Sequence, residues 1–163
     1  MEEHMMWGPG KVWKTSNDFW TWVRGGLRRS IWMKNPVKLN FRKGKRYKAP
    51  IGRNGKEVWV IDCDRCGRQV RQTEAEVNHK IPCGPLKRKE DIQSFVERLA
   101  FVTEDDLQML CKDPCHRVIT YTQRYEVTEE QAEKRIGEID AKKLSKQDKK
   151  RKEEIACKKK QKK

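Results

Sequence analysis

The sequence predicts an α+β protein in which a few short strands lie between amphipathic helices and a cysteine-bound metal staples the strands. Three observations carry this. Apolar residues recur at three- and four-residue steps near both ends of the chain and once in its middle, which is the period of a helix with one buried face. Short runs of β-branched and aromatic residues, bounded by glycine and proline, fill residues 58–110 and read as strands. Two short-spaced cysteine pairs, Cys63/Cys66 and Cys111/Cys115, stand among those strands.

Taken in order, Phe19, Trp22, Val23, Leu27 and Ile31 mark the face of an N-terminal helix, with Asn17 or Asp18 as its N-cap. Gly25 and Gly26 weaken that helix by about 1 kcal/mol each. Five of the six tryptophans lie at or before Trp32, and most are expected to pack the helix onto the domain and not to stack on bases. From Asn35 to Gly55, proline and glycine among basic residues read as a basic linker or loop. Val58–Ile61 reads as a strand, with Arg68–Arg71 as its hairpin partner. Glu76–Ile81 is a further strand, stopped by Pro82. Asp91–Ala100 places Ile92, Phe95, Val96 and Leu99 on one face of a surface helix. Leu107–Leu110 alternates as a short strand, and Pro114 suits the first turn of a helix running through His116, Val118 and Ile119. Thr128-Glu129-Glu130-Gln131 is a capping box that opens a C-terminal helix with Ala132, Ile136 and Ile139 inward; the tail after Lys142 is expected to fray.

Charge divides the 163 residues further. Residues 1–60 carry +10, residues 61–141 carry −4 and residues 142–163 carry +9, within a total of +15. Two basic arms around a slightly acidic middle suit a polyanionic partner gripped by the arms and cationic metals collected by the middle. With 35% hydrophobic and 39% charged residues, the chain can form only a small core with solvated arms. No apolar run reaches membrane-spanning length, and the N-terminus lacks the cationic start and apolar run of a signal peptide, so a soluble intracellular protein without a membrane partner is expected. The divisions are a basic, tryptophan-rich helix and linker (1–56), a metal-stapled domain (57–125), and a C-terminal helix with a lysine-rich tail (126–163).

In a reducing compartment, six cysteines point to metal before disulfides. Cys63-Asp-Arg-Cys66, followed by Gly67, together with Cys111-Lys-Asp-Pro-Cys115, supplies four thiolates for tetrahedral Zn²⁺. Four protein ligands leave no open position, so such a zinc is structural and contributes its binding energy to folding. Cys83 is expected buried near this site, and Cys157 in the lysine tail incidental. Of the three histidines, His4 falls in the polar start, His79 on a strand and His116 directly after the last paired cysteine.

Glu76-Val-Asn-His-Lys-Ile-Pro82, Asp106-Leu-Gln-Met-Leu-Cys111 and Cys115-His-Arg-Val-Ile-Thr120 together resemble the motif of the HNH endonucleases, and in particular the small zinc-bearing HNH proteins of bacteriophages. Phe19-Trp-Thr-Trp-Val-Arg-Gly-Gly-Leu-Arg-Arg29 resembles the segment that precedes the motif there, so the likeness covers roughly residues 17–122. The resemblance implies a ββα-metal fold and metal-dependent hydrolysis of DNA phosphodiesters in the cytoplasm of an infected bacterial host. It implies His79 as general base, Asp106 as the residue that orients the loop carrying the base, and His116 with Asn78 as ligands of a catalytic Mg²⁺ or Mn²⁺. Thr120 would support His116, and Glu76 and Asp105 are alternative ligands. Adjacent strand residues face opposite ways, so Asn78 and His79 share a site only if the strand bends. The chain departs from the family in carrying Asn78 where many relatives have Asp, Asp106 where Asn is usual, and Ile119 where Lys is common. Arg24, Arg28, Arg29, Lys43, Lys45 and Arg46 are the expected DNA-backbone contacts. Two further readings stand beside the nuclease: a zinc-stapled DNA-binding module whose cleavage site has decayed, and an accessory that binds phage packaging proteins.

Overall fold

A computed structural model describes residues 6–160 of the chain; His4 and the side chain of Cys157 lie outside the described parts. The protein is α+β, with small antiparallel sheets and helices, in two units that divide after Lys112.

The first unit opens with α1 (Ser16–Leu27). Its N-cap is Thr15, not Asn17 or Asp18. The Thr15 hydroxyl accepts from the Asp18 N–H, and the Asp18 carboxylate accepts from the Thr15 N–H, each at 3.1 Å. Asp18 therefore caps from inside the first turn. Gly25 and Gly26 remain helical, and the helix widens into a π-type turn at Arg28–Trp32. Trp20 is buried with Cys83, Leu86, Phe95 and Leu99, and Phe19, Val23, Leu27, Ile31 and Trp32 pack against them. Trp22 departs from the expected face: at 100° per residue it lies across the helix from Trp20, and it is exposed. Its ring packs 5.1 Å from that of Trp13 instead.

The stretch after Asn35 is not a loop. Asn35 caps α2 (Pro36–Gly44), its side-chain oxygen accepting from Val37 N–H at 2.9 Å and Lys38 N–H at 3.3 Å. Pro36 takes a helix-start position, where a missing N–H costs nothing. Phe41 and Lys38 are buried. The Asn35 amide also donates to the carbonyl of Ala100 at 3.1 Å, tying the start of α2 to the end of α3 (Asp91–Ala100). In α3, Phe95 and Leu99 face the core as expected, whereas Ile92 is exposed.

β1 (Tyr47–Ala49), β2 (Val58–Asp62) and β3 (Gln69–Arg71) form one antiparallel sheet in that order. The β2–β3 hairpin matches the sequence reading. In the β1–β2 connection a side chain at Gly52 would collide with the Lys56 carbonyl, which explains the glycine there. β4 (Ala75–His79) and β5 (Leu107–Cys111) form a second, two-stranded antiparallel ribbon, pairing Ala75 with Cys111 and His79 with Leu107. β4 is shorter than expected and stops before Lys80. Val77, Leu107 and Met109 are buried, so the ribbon's inner face belongs to the core.

The second unit is a helix pair. α4 (Arg117–Tyr125) and α5 (Glu129–Lys160) enclose Val118, Ala132 and Ile136, with Tyr121 and Val127 packed on them. Thr128 and Gln131 form the expected cap, the Gln131 N–H donating to the Thr128 hydroxyl at 3.3 Å and the Thr128 N–H to the Gln131 side chain at 3.2 Å. The Arg117 guanidinium clamps the Asp140 carboxylate with both terminal nitrogens. Two expectations are corrected. Ile139 is exposed, and the chain beyond Lys142 stays helical through Lys160. Lysine, glutamate and glutamine are good helix formers, and no glycine or proline interrupts them after Gly137.

Asn35→Ala removes both the cap of α2 and its tether to α3. The expected loss is about 1–2 kcal/mol, read as a lower denaturant midpoint with unchanged slope. Asn35→Asp, which keeps the cap and loses the donor, should fall between the two.

Candidate metal centre and hairpin site

Cys63-Asp64-Arg65-Cys66-Gly67 is a tight turn between β2 and β3. The Gly67 N–H donates to the Cys63 carbonyl at 2.8 Å, and the Cys63 N–H to the Arg68 carbonyl at 3.0 Å. Gly67 has φ +67°, a conformation that glycine adopts without strain. The sulfurs of Cys63, Cys66, Cys111 and Cys115 all lie within 4.8 Å of one another, close enough to hold a metal ion. Bonds of about 2.3 Å to zinc would set tetrahedral sulfurs roughly 3.8 Å apart, so the donor set and spacing fit that ion with little closure. Cys66 is exposed and the other three are buried. The Cys111 N–H donates to the Cys63 sulfur at 3.3 Å, and the Arg68 guanidinium to the Cys111 sulfur at 3.6 Å. Burial pushes the Cys63 thiol up, but N–H groups of Cys111, Cys66 and Arg65 outweigh it and bring the group down to about 6. This is thiolate chemistry, the form in which cysteine binds metals.

The turn is fastened to the ribbon by Asp64. Its N–H donates to the Met109 carbonyl at 2.8 Å, and its carboxylate accepts from the Met109 N–H at 2.7 Å. The other carboxylate oxygen meets Lys45 Nζ at 3.1 Å. The outer edge of β5 is thereby paired with the cysteine turn.

His79 ends β4. Its ring stacks on Trp32 with centroids 4.0 Å apart and planes at 30°, and the Cys83 sulfur lies 3.7 Å from both ring nitrogens. Burial, with the nearby cations of Arg28 and Lys38, outweighs the Asp106 carboxylate and lowers the imidazole to about 4. The ring is therefore neutral at pH 7. Asp106 closes the turn before β5: its carboxylate accepts from the Thr103 N–H and hydroxyl, each at 2.8 Å, and its carbonyl accepts from the Lys80 N–H at 2.8 Å. The Thr103 N–H first, and then its hydroxyl, hold the Asp106 carboxyl below its ordinary range. His79 and Asp106 are thus brought together across the end of the ribbon.

Asn78 pairs with Gln108 in regular register, so alternation faces its side chain away from that of His79 and toward the Glu76 side. The strand does not bend there, and the Asn78 amide donates to the His79 carbonyl at 3.1 Å. Glu76 Oε2 lies 4.0 Å from Lys112 Nζ. His116, half-buried, directly precedes α4 in the second unit, with Thr120 one turn on. Of the expected backbone contacts, Arg28, Arg29, Lys43 and Lys45 are exposed. Arg24 donates to the Leu86 carbonyl at 3.1 Å, and Arg46 lies over the Trp59 ring at 4.4 Å. Cys83 is buried, as expected, but against His79. Sequence reading missed Trp32 and Lys38 as neighbours of His79; no local pattern marks contacts so far apart in the chain.

No protein-family model, curated protein or solved structure matches the chain. Among the described residues, no helix is long and apolar enough to cross a membrane.

Protein purified without chelator should carry one thiolate-bound divalent ion per chain by elemental analysis. Cys63→Ser should lose that ion and lower the unfolding midpoint, because Cys63 contributes a thiolate and also accepts the Cys111 N–H.

Proposed function

We propose that the chain is a metal-dependent HNH-type DNA endonuclease whose hairpin is stapled by a structural zinc. One observation carries the reading: a neutral, half-buried imidazole ends the first strand of a two-stranded ribbon, and a locked carboxylate opens the return strand, which ends in the cysteine site. β4 and β5 pair although α3 stands between them in the chain, and α4 follows β5 with His116 directly before it.

In this reading His79 accepts a proton from water as the water oxygen bonds to phosphorus and the bond to the leaving oxygen breaks. Asp106 fixes the turn beside the base. Arg28, exposed and close enough to act electrostatically on His79, supplies positive charge where a phosphate would approach. His116 and Asn78 are the residues that would hold Mg²⁺ or Mn²⁺; imidazole nitrogen and amide oxygen are competent donors, though the amide is a weaker ligand than a carboxylate. When bound, that ion polarises the phosphate and stabilises the leaving oxygen. Cys63, Cys66, Cys111 and Cys115 would complete the shell of a zinc ion, leaving it no open position for cleavage chemistry. The basic arms grip the DNA backbone without reading sequence, and the infected bacterial cell is the setting.

The orientation of Asn78 favours a second reading, a zinc-stapled DNA-binding module with a weak cleavage site. Incubation with supercoiled plasmid and a panel of divalent metals separates the two, since the module binds and does not nick.

His79→Ala should lose about 10²- to 10⁴-fold in cleavage while keeping zinc and DNA binding. His116→Ala should be partly restored by excess Mn²⁺; His79→Ala should not. Full cleavage by folded His79→Ala would refute the mechanism. A base lowered to about 4 stays unprotonated well below the ordinary histidine value of 6.5. The acid limb of the single-turnover pH–rate profile should therefore fall as pH drops toward 4, with no loss through 6.5. Deleting residues 142–163 should weaken binding equally for all sequences. It should also flatten the salt dependence, by about 0.9 in slope for each phosphate that the tail neutralises.

A further inference from the structure

We propose that Trp32 is the positioning residue of His79, holding the imidazole in one plane and away from water, with Lys38 seated behind it as a buried cation. The indole stacks on the imidazole at 4.0 Å and 30°. A stacked aromatic partner fixes the plane of the ring and removes one face from solvent. Trp32 itself is held: it packs against the Trp20, Leu86, Phe95 and Leu99 cluster, and Lys38 Nζ lies 4.7 Å from its ring centroid.

Lys38 is 4% exposed, an unusual state for a lysine. Its Nζ lies 3.5 Å from the Met33 sulfur, a weak acceptor, and burial lowers the ammonium from its ordinary value. A cation this poorly solvated gains from the π face of Trp32. The groups acting on the imidazole come from four parts of the first unit: Trp32 and Arg28 from the turn after α1, Lys38 from α2, Cys83 from the loop after β4, and Asp106 from the turn before β5. Trp32 is not itself a catalytic residue, and the consequence for cleavage rests on the nuclease reading; the arrangement of the ring does not.

The test follows the carbon-bound ring protons of His79 at one neutral pH in full-length, metal-loaded protein. With three histidines in the chain, His79→Gln identifies the resonances. An imidazole stacked on an indole lies in its ring current, so the wild-type His79 protons should be displaced upfield, and the covered face should slow acylation of the imidazole by diethyl pyrocarbonate. In Trp32→Leu the displacement should be lost and acylation should become faster, with zinc content unchanged. Trp32→Phe should fall between, and it carries the test if Trp32→Leu does not fold. Lys38→Met, which keeps the apolar stem and removes the cation over the indole, should reduce the displacement. In the nicking assay Trp32→Leu should lower kcat by about 10²-fold at unchanged KM. Ring-proton shifts and acylation rate unmoved in Trp32→Leu, or in Trp32→Phe where the former does not fold, would overturn the proposal. Moved shifts alongside a wild-type protein that cuts no DNA would refute the nuclease reading and uphold the role of Trp32.

Discussion

A strand at the rim of a two-stranded ribbon leaves alternate N–H and C=O groups without a partner, and a ribbon of five residues a side has little else to hold it. In this protein the rim of β5 is occupied by the cysteine turn. Asp64 exchanges two hydrogen bonds with Met109, and Cys63 accepts from Cys111. The same few residues supply two of the four clustered cysteine sulfurs and complete the strand. The cysteine cluster and the ribbon are therefore built as one, and whatever orders the four sulfurs orders β5 and its partner β4, with His79 at its end. Lys45, at the end of α2, extends this to the N-terminal helices through Asp64.

The second layer of order comes from the aromatic helix. α1 brings Trp20 into the core and delivers Trp32 to His79 at the far end of the π-type turn. Tryptophans so close in the sequence do different things. Trp20 is buried, Trp32 covers an imidazole, and Trp22 lies on the opposite side of the helix in contact with Trp13. Helical phase decides among them, and aromatic count alone does not.

Much of this was legible in the chain. Asp91–Ala100 has an unambiguous apolar period and matches α3 end to end. Thr128 and Gln131 form the cap that their spacing predicts, and the cysteine quartet converges as two short-spaced pairs should. The second helix was hidden. Phe41 is the one large apolar side chain it buries, Lys38 is buried against expectation, and proline and glycine at its ends resemble loop punctuation when they are helix start and stop. The Asn35-Pro36 pair was the available signal. The cap of α1 was misplaced by a few residues because Thr15, Asn17 and Asp18 all suit the role, and the reciprocal bonds with Asp18 decide it. At the end of the ribbon, the nearness of His79 and Asp106 was implied only by the family resemblance, and the setting of His79 against Trp32, Lys38 and Cys83 is tertiary and left no trace in local pattern.

The outer part of α5 is a helix working against its own charge. Lys142, Lys143, Lys146, Lys149 and Lys150 are all exposed and fall within about a third of the helical circumference. Lys142 with Lys146, and Lys146 with Lys150, are like charges one turn apart, each pair costing roughly 0.2–0.5 kcal/mol. No buried side chain is described beyond Ile136 to offset this. Helical order in this segment and its electrical self-repulsion are therefore opposed, and salt or any polyanion lying along the lysine face relieves the second in favour of the first.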